Sequence, residues 1–180
     1  MLKILLDVDT GIDDSIAVLY ALKNPEVRLV GITTGCGNTD TAQATENTLR
    51  LIALANPGYP VPVAVGACGP IAGKWEGPVP HVHGGNGIGD VELPPCSLKP
   101  TSEAAEDFII RMAREHEGEL VVVTLGRLTN LALALQKEPR LPRLVKRAVM
   151  MGGTVHAPGN VSPVVEANVY GDPEAADQVF

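Results

Sequence analysis

The stretch Ile4-Leu5-Leu6-Asp7-Val8-Asp9-Thr10-Gly11-Ile12-Asp13-Asp14-Ser15-Ile16-Ala17-Val18-Leu19 joins an apolar run to a helical pattern through four aspartates packed into eight residues. Ile4 to Val8 reads as a buried strand, and the residues from Ser15 to Lys23 as an amphipathic helix that Asn24-Pro25 ends. The acids therefore fall at the carboxyl end of a strand and in the first turn of a helix, where open α/β sheets place their ligands. Gly11 permits a tight turn between the two. One or two acids here would serve as a helix cap and complement the helix dipole, Asp13 as the cap and Asp14 behind it. Four, two of them on the strand side with alternating spacing, point to function. Carboxylates crowded in this way repel unless a cation sits among them, and an all-oxygen donor set suits Mg²⁺ or Ca²⁺, not zinc.

Outward from that stretch the alternation continues. Val27–Thr34 is a β-branched strand, and 40–55 is a helix with Asp40 as cap, ended by Asn56-Pro57-Gly58. Val61–Val65 is a short strand, and 66–100 dissolves into glycine, proline and polar residues, a length that marks a functional loop. A helix is expected from Thr101 or Ser102 to about Glu117, a buried strand over 119–125, a helix over 128–136 and a strand over 147–151. After an irregular segment, Asp172-Pro173-Glu174 starts a last helix, with Asp172 as its cap. Strands alternating with helices predict an open, mainly parallel α/β sheet with helices on both faces, in one domain spanning 1–180. The final helix has barely begun when the sequence stops at Phe180, so the domain is expected to be incomplete at its C-terminal end.

Composition narrows the function classes. Apolar residues make up 45% of the chain, as a globular core requires, and aromatics only 3%, so that core is aliphatic. A formal charge of −7 argues against nucleic-acid and anionic-membrane partners. No apolar run approaches the roughly 20 residues of a membrane span, and the N-terminus has no signal-peptide pattern, so a cytoplasmic location is expected. Cys36, Cys68 and Cys96 form neither a disulfide framework nor a zinc motif. His81 and His83 would face one side if extended, but no further soft ligand accompanies them. Asn130 reads as a residue that braces or caps a turn.

The run Asp7-Val8-Asp9-Thr10-Gly11-Ile12-Asp13-Asp14 closely resembles the D-x-D-[PT]-G-x-D-D signature of the inosine–uridine-preferring nucleoside hydrolases. The resemblance continues through Ile32-Thr33-Thr34 to Gly37-Asn38, His81-Val82-His83-Gly84, and Thr124-Leu125-Gly126-Arg127-Leu128-Thr129-Asn130. It closes with Met150-Met151-Gly152-Gly153, Glu166-Ala167-Asn168 and Asp172-Pro173-Glu174-Ala175-Ala176, all in family order. Two departures stand out: Ser15 replaces a small residue of another type, and Arg127 takes the usual place of a proline.

The resemblance implies a Ca²⁺-dependent N-ribohydrolase that cleaves ribonucleosides to ribose and free base, in nucleoside salvage. Asp9, Asp14 and the backbone carbonyl of Leu125 would be metal ligands, and Asp9 also the base that deprotonates the attacking water. Asp7 would support them from behind. Asp13, Asn38 and Asn168 would hold the ribose 2′- and 3′-hydroxyls, Asn160 and Glu166 the 5′-hydroxyl. Met151 would pack near the sugar and His83 beside the nucleobase. The family's further calcium-binding aspartate and its leaving-group histidine have no counterpart here, so a calcium- or ribose-binding remnant is the alternative. The strand followed by Asp7-Val8-Asp9-Thr10 is also reminiscent of haloacid-dehalogenase-like phosphatases, although Gly11 and Asp13-Asp14 do not fit them. A sheet without its later cover would expose apolar surface and favour a homo-oligomer.

Overall fold

Strand β1 (Leu2–Val8) lies at the centre of a five-stranded, wholly parallel sheet in the order β3-β2-β1-β4-β5, in a computed structural model that describes residues 1–180. The other strands are β2 (Val27–Thr34), β3 (Val63–Val65), β4 (Val121–Thr124) and β5 (Arg147–Met150). Helices α1 (Ile12–Lys23), α2 (Thr41–Ala55), α4 (Ala105–Glu115) and α5 (Thr129–Lys137) supply the cover. Four short helices complete the set: α3 (Pro80–His83), α6 (Leu141–Leu144), α7 (Ala167–Gly171) and α8 (Pro173–Val179).

The two-residue period of β1 divides the core. Leu6 and Val8 pack with Val18, Leu22, Leu49 and Ile52 of α1 and α2 on one face. Leu5 packs with Phe108, Ile109, Val122 and Leu131 on the other. A parallel strand buried on both sides has to be apolar there, which is why Ile4-Leu5-Leu6 forms an unbroken run before Asp7. Apolar side chains removed from water at roughly 25 cal/mol per Å² are the main force holding the two helix layers to the sheet.

The chain runs from β1 outward through β2 to β3, then crosses back to β4 and on to β5. The strand order thus reverses between β1 and β4, and their carboxyl ends bound the crevice such a reversal creates. Asp9 lies one residue past β1 and Leu125 one past β4.

Several boundaries differ from expectation for identifiable reasons. Helix α4 starts at Ala105, not Thr101, because residues 101–104 prolong the edge beside β3: the Thr101 N–H donates to Val63 and Ala104 bridges to Val65. The 66–100 loop contains a helical turn, α3, so His81 and His83 are not on an extended strand. Helix α1 is capped at Gly11, not Asp13, with the Asp14 carboxylate reaching back to the Gly11 N–H at 2.8 Å. The caps at Asp40 (accepting from the Gln43 N–H, 2.8 Å) and Asp172 (accepting from the Ala175 N–H, 3.0 Å) stand as read. Edge strand β5 is exposed over Arg147–Val149, with Val149 at 47%. No helix is long and apolar enough to cross a membrane.

Candidate active site

The acids of the opening stretch separate into distinct environments. Asp7 still belongs to β1, in register with Thr33 of β2. Its Oδ1 accepts from Thr33 Oγ1 at 2.6 Å and from Asn130 Nδ2 at 2.8 Å, beneath the crevice floor. Burial pushes its pKa from 3.8 up to about 6, against the pull of those two donors. With its carboxylate committed in this way, Asp7 is a brace and not a nucleophile, which removes the physical basis of the phosphatase reading.

Asp9 and Asp14 are 3% and 2% exposed. Asp9 Oδ2 accepts from the Asn38 backbone N–H at 2.8 Å. The Asn38 side-chain amide donates to both acids, to Asp9 Oδ1 at 3.2 Å and Asp14 Oδ2 at 3.0 Å. One amide thus spans two carboxylates. Room for them depends on glycine: a Cβ on Gly37 would fall on Asp9 Oδ2, and one on Gly126 would come within 2.9 Å of Asp9 Oδ1. Burial first, and Asp9 second, push the Asp14 pKa up to about 8. Burial also raises Asp9, opposed chiefly by the Asn38 backbone N–H.

Asp14 Oδ1 is buried with no hydrogen-bond partner. Leaving such an atom unsatisfied costs about 1–3 kcal/mol or more, and two desolvated carboxylates in one place add to the cost. A hard dication would relieve both, so these residues fit one. No three His, Cys, Asp or Glu side chains converge. The donors this chain could offer a cation are therefore the two carboxylates together with a backbone oxygen such as that of Leu125.

Across the crevice, Asn168 Nδ2 donates to the Leu125 carbonyl at 2.7 Å and to the Met151 carbonyl at 3.0 Å, and lies 3.0 Å from Met151 Sδ. Glu166 caps α7: its Oε1 accepts from the Asn168 N–H at 2.8 Å, and its Oε2 from Gly153 at 2.8 Å and Val169 at 3.2 Å. Asn160 Oδ1 accepts from the Ala167 N–H at 2.9 Å on the exposed loop. His83, carried by α3, accepts through Nδ1 from the Ile12 N–H at 3.2 Å, so the long loop closes over the α1 terminus. Asp13 is exposed on α1.

The fold thus brings Asp9, Asp14 and Asn38 into one bonded cluster, and Leu125, Met151, Glu166 and Asn168 into a second. Asp13, His83 and Asn160 stand at the rim. Sequence reading underrated Asn130, which donates to Asp7 and to the Thr34 carbonyl (3.1 Å) and accepts from the Ala67 N–H (2.9 Å), tying three strand ends together. It also gave Thr33 no role of its own. The one available signal was position: Thr33 lies near the end of β2, and Asn130 opens the helix that follows β4.

Comparison with known proteins identifies the family and the fold. The sequence profile described as inosine-uridine preferring nucleoside hydrolase matches residues 4–180. Uridine nucleosidase 1 of Arabidopsis thaliana is 46% identical over 99% of this chain and 53% of its own length. The inosine-uridine preferring nucleoside hydrolase of Leishmania major is 43% identical over 99% and 56%. Among solved structures, a purine-preferring ribonucleoside hydrolase from Gardnerella vaginalis superposes with a TM-score of 0.94 at 41% identity, covering 99% of this chain and 57% of that one. A plant nucleoside hydrolase gives the same TM-score at 39% identity over 99% and 56%. The chain spans about half the length of the curated relatives it matches. On a profile match across nearly all its residues and relatives above 40% identity, the chain belongs to the inosine-uridine preferring nucleoside hydrolase family.

Proposed function

We propose that this site, with Ca²⁺ bound, hydrolyses the N-glycosidic bond of a ribonucleoside to ribose and free base, as a step of nucleoside salvage. The observation that carries the metal is the buried Asp9–Asp14 pair with its unpartnered Asp14 Oδ1. The substrate class rests on family membership and on relatives named for uridine, inosine and purine nucleosides.

When bound, the cation supplies a lowered pKa and a fixed position for water. Asp9, Asp14 and the Leu125 carbonyl would hold the cation. The remaining chemistry falls to side chains. Asp9 takes the proton of the attacking water, a role that a weak Lewis acid leaves to a nearby carboxylate. Asp13, Asn38 and Asn168 hold the ribose 2′- and 3′-hydroxyls, with Asn160 and Glu166 on the 5′-hydroxyl. Met151 packs against the sugar, and His83 flanks the base. As the bond to the base breaks, positive charge grows on the ribose, and the surrounding carboxylates and amide oxygens stabilise it without reorganising.

The test is ribose release from uridine and inosine, with and without a calcium chelator, beside an Asp9→Ala variant. Hydrolysis that needs calcium and falls by 10³-fold or more in Asp9→Ala is expected, the scale of losing a catalytic base together with a ligand. Ribose release that persists in Asp9→Ala sinks the mechanism. A second reading, a calcium- or ribose-binding module without turnover, is favoured by the absence of a third converging acidic, histidine or cysteine ligand. Folded protein that binds calcium and releases no ribose selects it.

A further inference from the structure

Arg127 takes no part in the chemistry above, yet it stands at the back of the site. It follows Gly126 beyond β4, half buried, and its Nη1 donates to the Gly171 carbonyl oxygen at 3.0 Å. Gly171 makes that approach possible, since a Cβ there would overlap the guanidinium. Arg50, Arg111, Arg114 and Arg140 each have a carboxylate oxygen within 3.0 Å. Arg127 has no such ion pair. Instead it lines, with Asp7, Asp9 and Asn130, a cavity with room for about one water behind the Asp9 carboxylate.

We propose that Arg127 is a positioning residue that acts through Asp9 as a built-in counter-charge and sets how tightly the site holds its cation. The argument is electrostatic and rests on the calcium reading given above. In the metal-free protein a half-buried cation offsets a carboxylate that burial has stripped of water. With a dication at Asp9, the same guanidinium becomes a like charge on the wall of the same one-water cavity. The two effects have opposite signs, so Arg127 stabilises the metal-free protein and weakens calcium binding. Resting calcium affinity is thereby lower than the two carboxylates alone would give.

The experiment compares wild type with Arg127→Met, Arg127→Gln and Arg127→Lys, by thermal unfolding in chelator and by calorimetric titration with Ca²⁺. Met and Gln remove the charge, and Gln keeps a donor for Gly171, so a folding failure of Met leaves Gln to decide. Expected are a lower Tm in chelator for the neutral variants, together with a calcium Kd on the order of tenfold smaller. Arg127→Lys should keep the wild-type Kd. A merely structural tie to Gly171 would lower the Tm and leave Kd equal or larger, and that result overturns the proposal. If calcium binds none of the four proteins, the calcium reading fails and this proposal fails with it. If calcium binds all four alike, only this proposal fails.

Discussion

The two sides of the crevice are built on opposite principles. On the β1–α1 side, Asp9 and Asp14 are nearly inaccessible to water and are held by an amide and by backbone N–H groups at the ends of regular elements. On the β5–α7 side, Met151 is 48% exposed, and Glu166, Asn160 and Asn168 fasten an irregular segment by side-chain bonds to its backbone. Charge has been placed where the sheet fixes it. Three of the groups proposed to read hydroxyls, Asn160, Glu166 and Asn168, sit where the chain can adjust. Fixing charge in a dry place opposes folding, and the buried side should betray this when the two sides are perturbed separately.

The largest expected effect is that of pH on the metal-free protein. Asp7 and Asp14 have folded pKa values raised from 3.8 to about 6 and about 8. The folded state therefore binds protons more tightly than the unfolded chain. Their contribution is complete below about pH 3.8, and is lost as pH rises through about 6 for Asp7 and about 8 for Asp14. At about 1.4 kcal/mol per unit, the sum is several kcal/mol. In chelator, urea midpoints should fall from pH 4.5 to pH 8. Asp14→Asn should flatten the decline above pH 6, and Ca²⁺, which favours the ionised pair, should oppose it. Stability that climbs steadily from pH 5 to 8 in chelator would remove the contrast between the two sides.

Gly37→Ala comes next, because its Cβ would fall on Asp9 Oδ2, which already accepts the Asn38 N–H. Either Asp9 or the β2–α2 turn has to move, at about 3 kcal/mol for overpacking a rigid site. Calorimetry should show that loss along with most of the calcium-induced gain in Tm. A variant with wild-type calcium binding would mean that Asp9 is less rigidly held than its bonds suggest.

How much of this was visible in the sequence follows the same division. Strands β1, β2 and β4 were legible because burial on both faces fills their centres with apolar, largely aliphatic or β-branched side chains, and Asp9, Asp14 and Asn38 because their spacing and order match a family pattern. A bracing role for Asn130 was legible but not its partner Asp7, since that bond spans 123 positions and exists only once β4 lies beside β1. The start of α4 was misplaced for a similar reason: Thr101 looks like a cap until β3 claims its N–H. Glu166 was legible as part of the family's Glu166-Ala167-Asn168 segment, but not as the residue that closes a loop on Gly153, because nothing local to it specifies that partner.

Asn130→Ala tests the buried side through its floor. It deprives Asp7 Oδ1, the Thr34 carbonyl and the Ala67 N–H of a partner at once. A loss of about 2 kcal/mol is expected, the scale for stranding buried polar groups. Because Asp7 keeps Thr33, the fold should survive. A loss below about 0.5 kcal/mol in chemical denaturation would show that water replaces the amide.

The smallest effect on global stability should come from Glu166→Ala, and it decides what kind of object the exposed side is. Glu166 is itself buried, at 7%, and its two oxygens accept from Gly153, Asn168 and Val169. Removing it cuts the only side-chain link drawn from the α7 cap to the start of the 152–165 segment. That segment contributes little to the apolar core, with Val155 at 88% and Val164 at 77% exposed. Its loosening should therefore cost about 1 kcal/mol or less in global unfolding. Amide exchange should tell a different story: protection should drop over 152–168 and stay unchanged at β1, β2 and α1. Ribose release should suffer mainly through KM, because Asn168 would no longer be held against Leu125 and Met151 while Asp9 and Asp14 keep their places. If exchange instead accelerates across β1 and β4, the two sides form one cooperative unit, and the adjustability assigned to the hydroxyl-binding side is wrong.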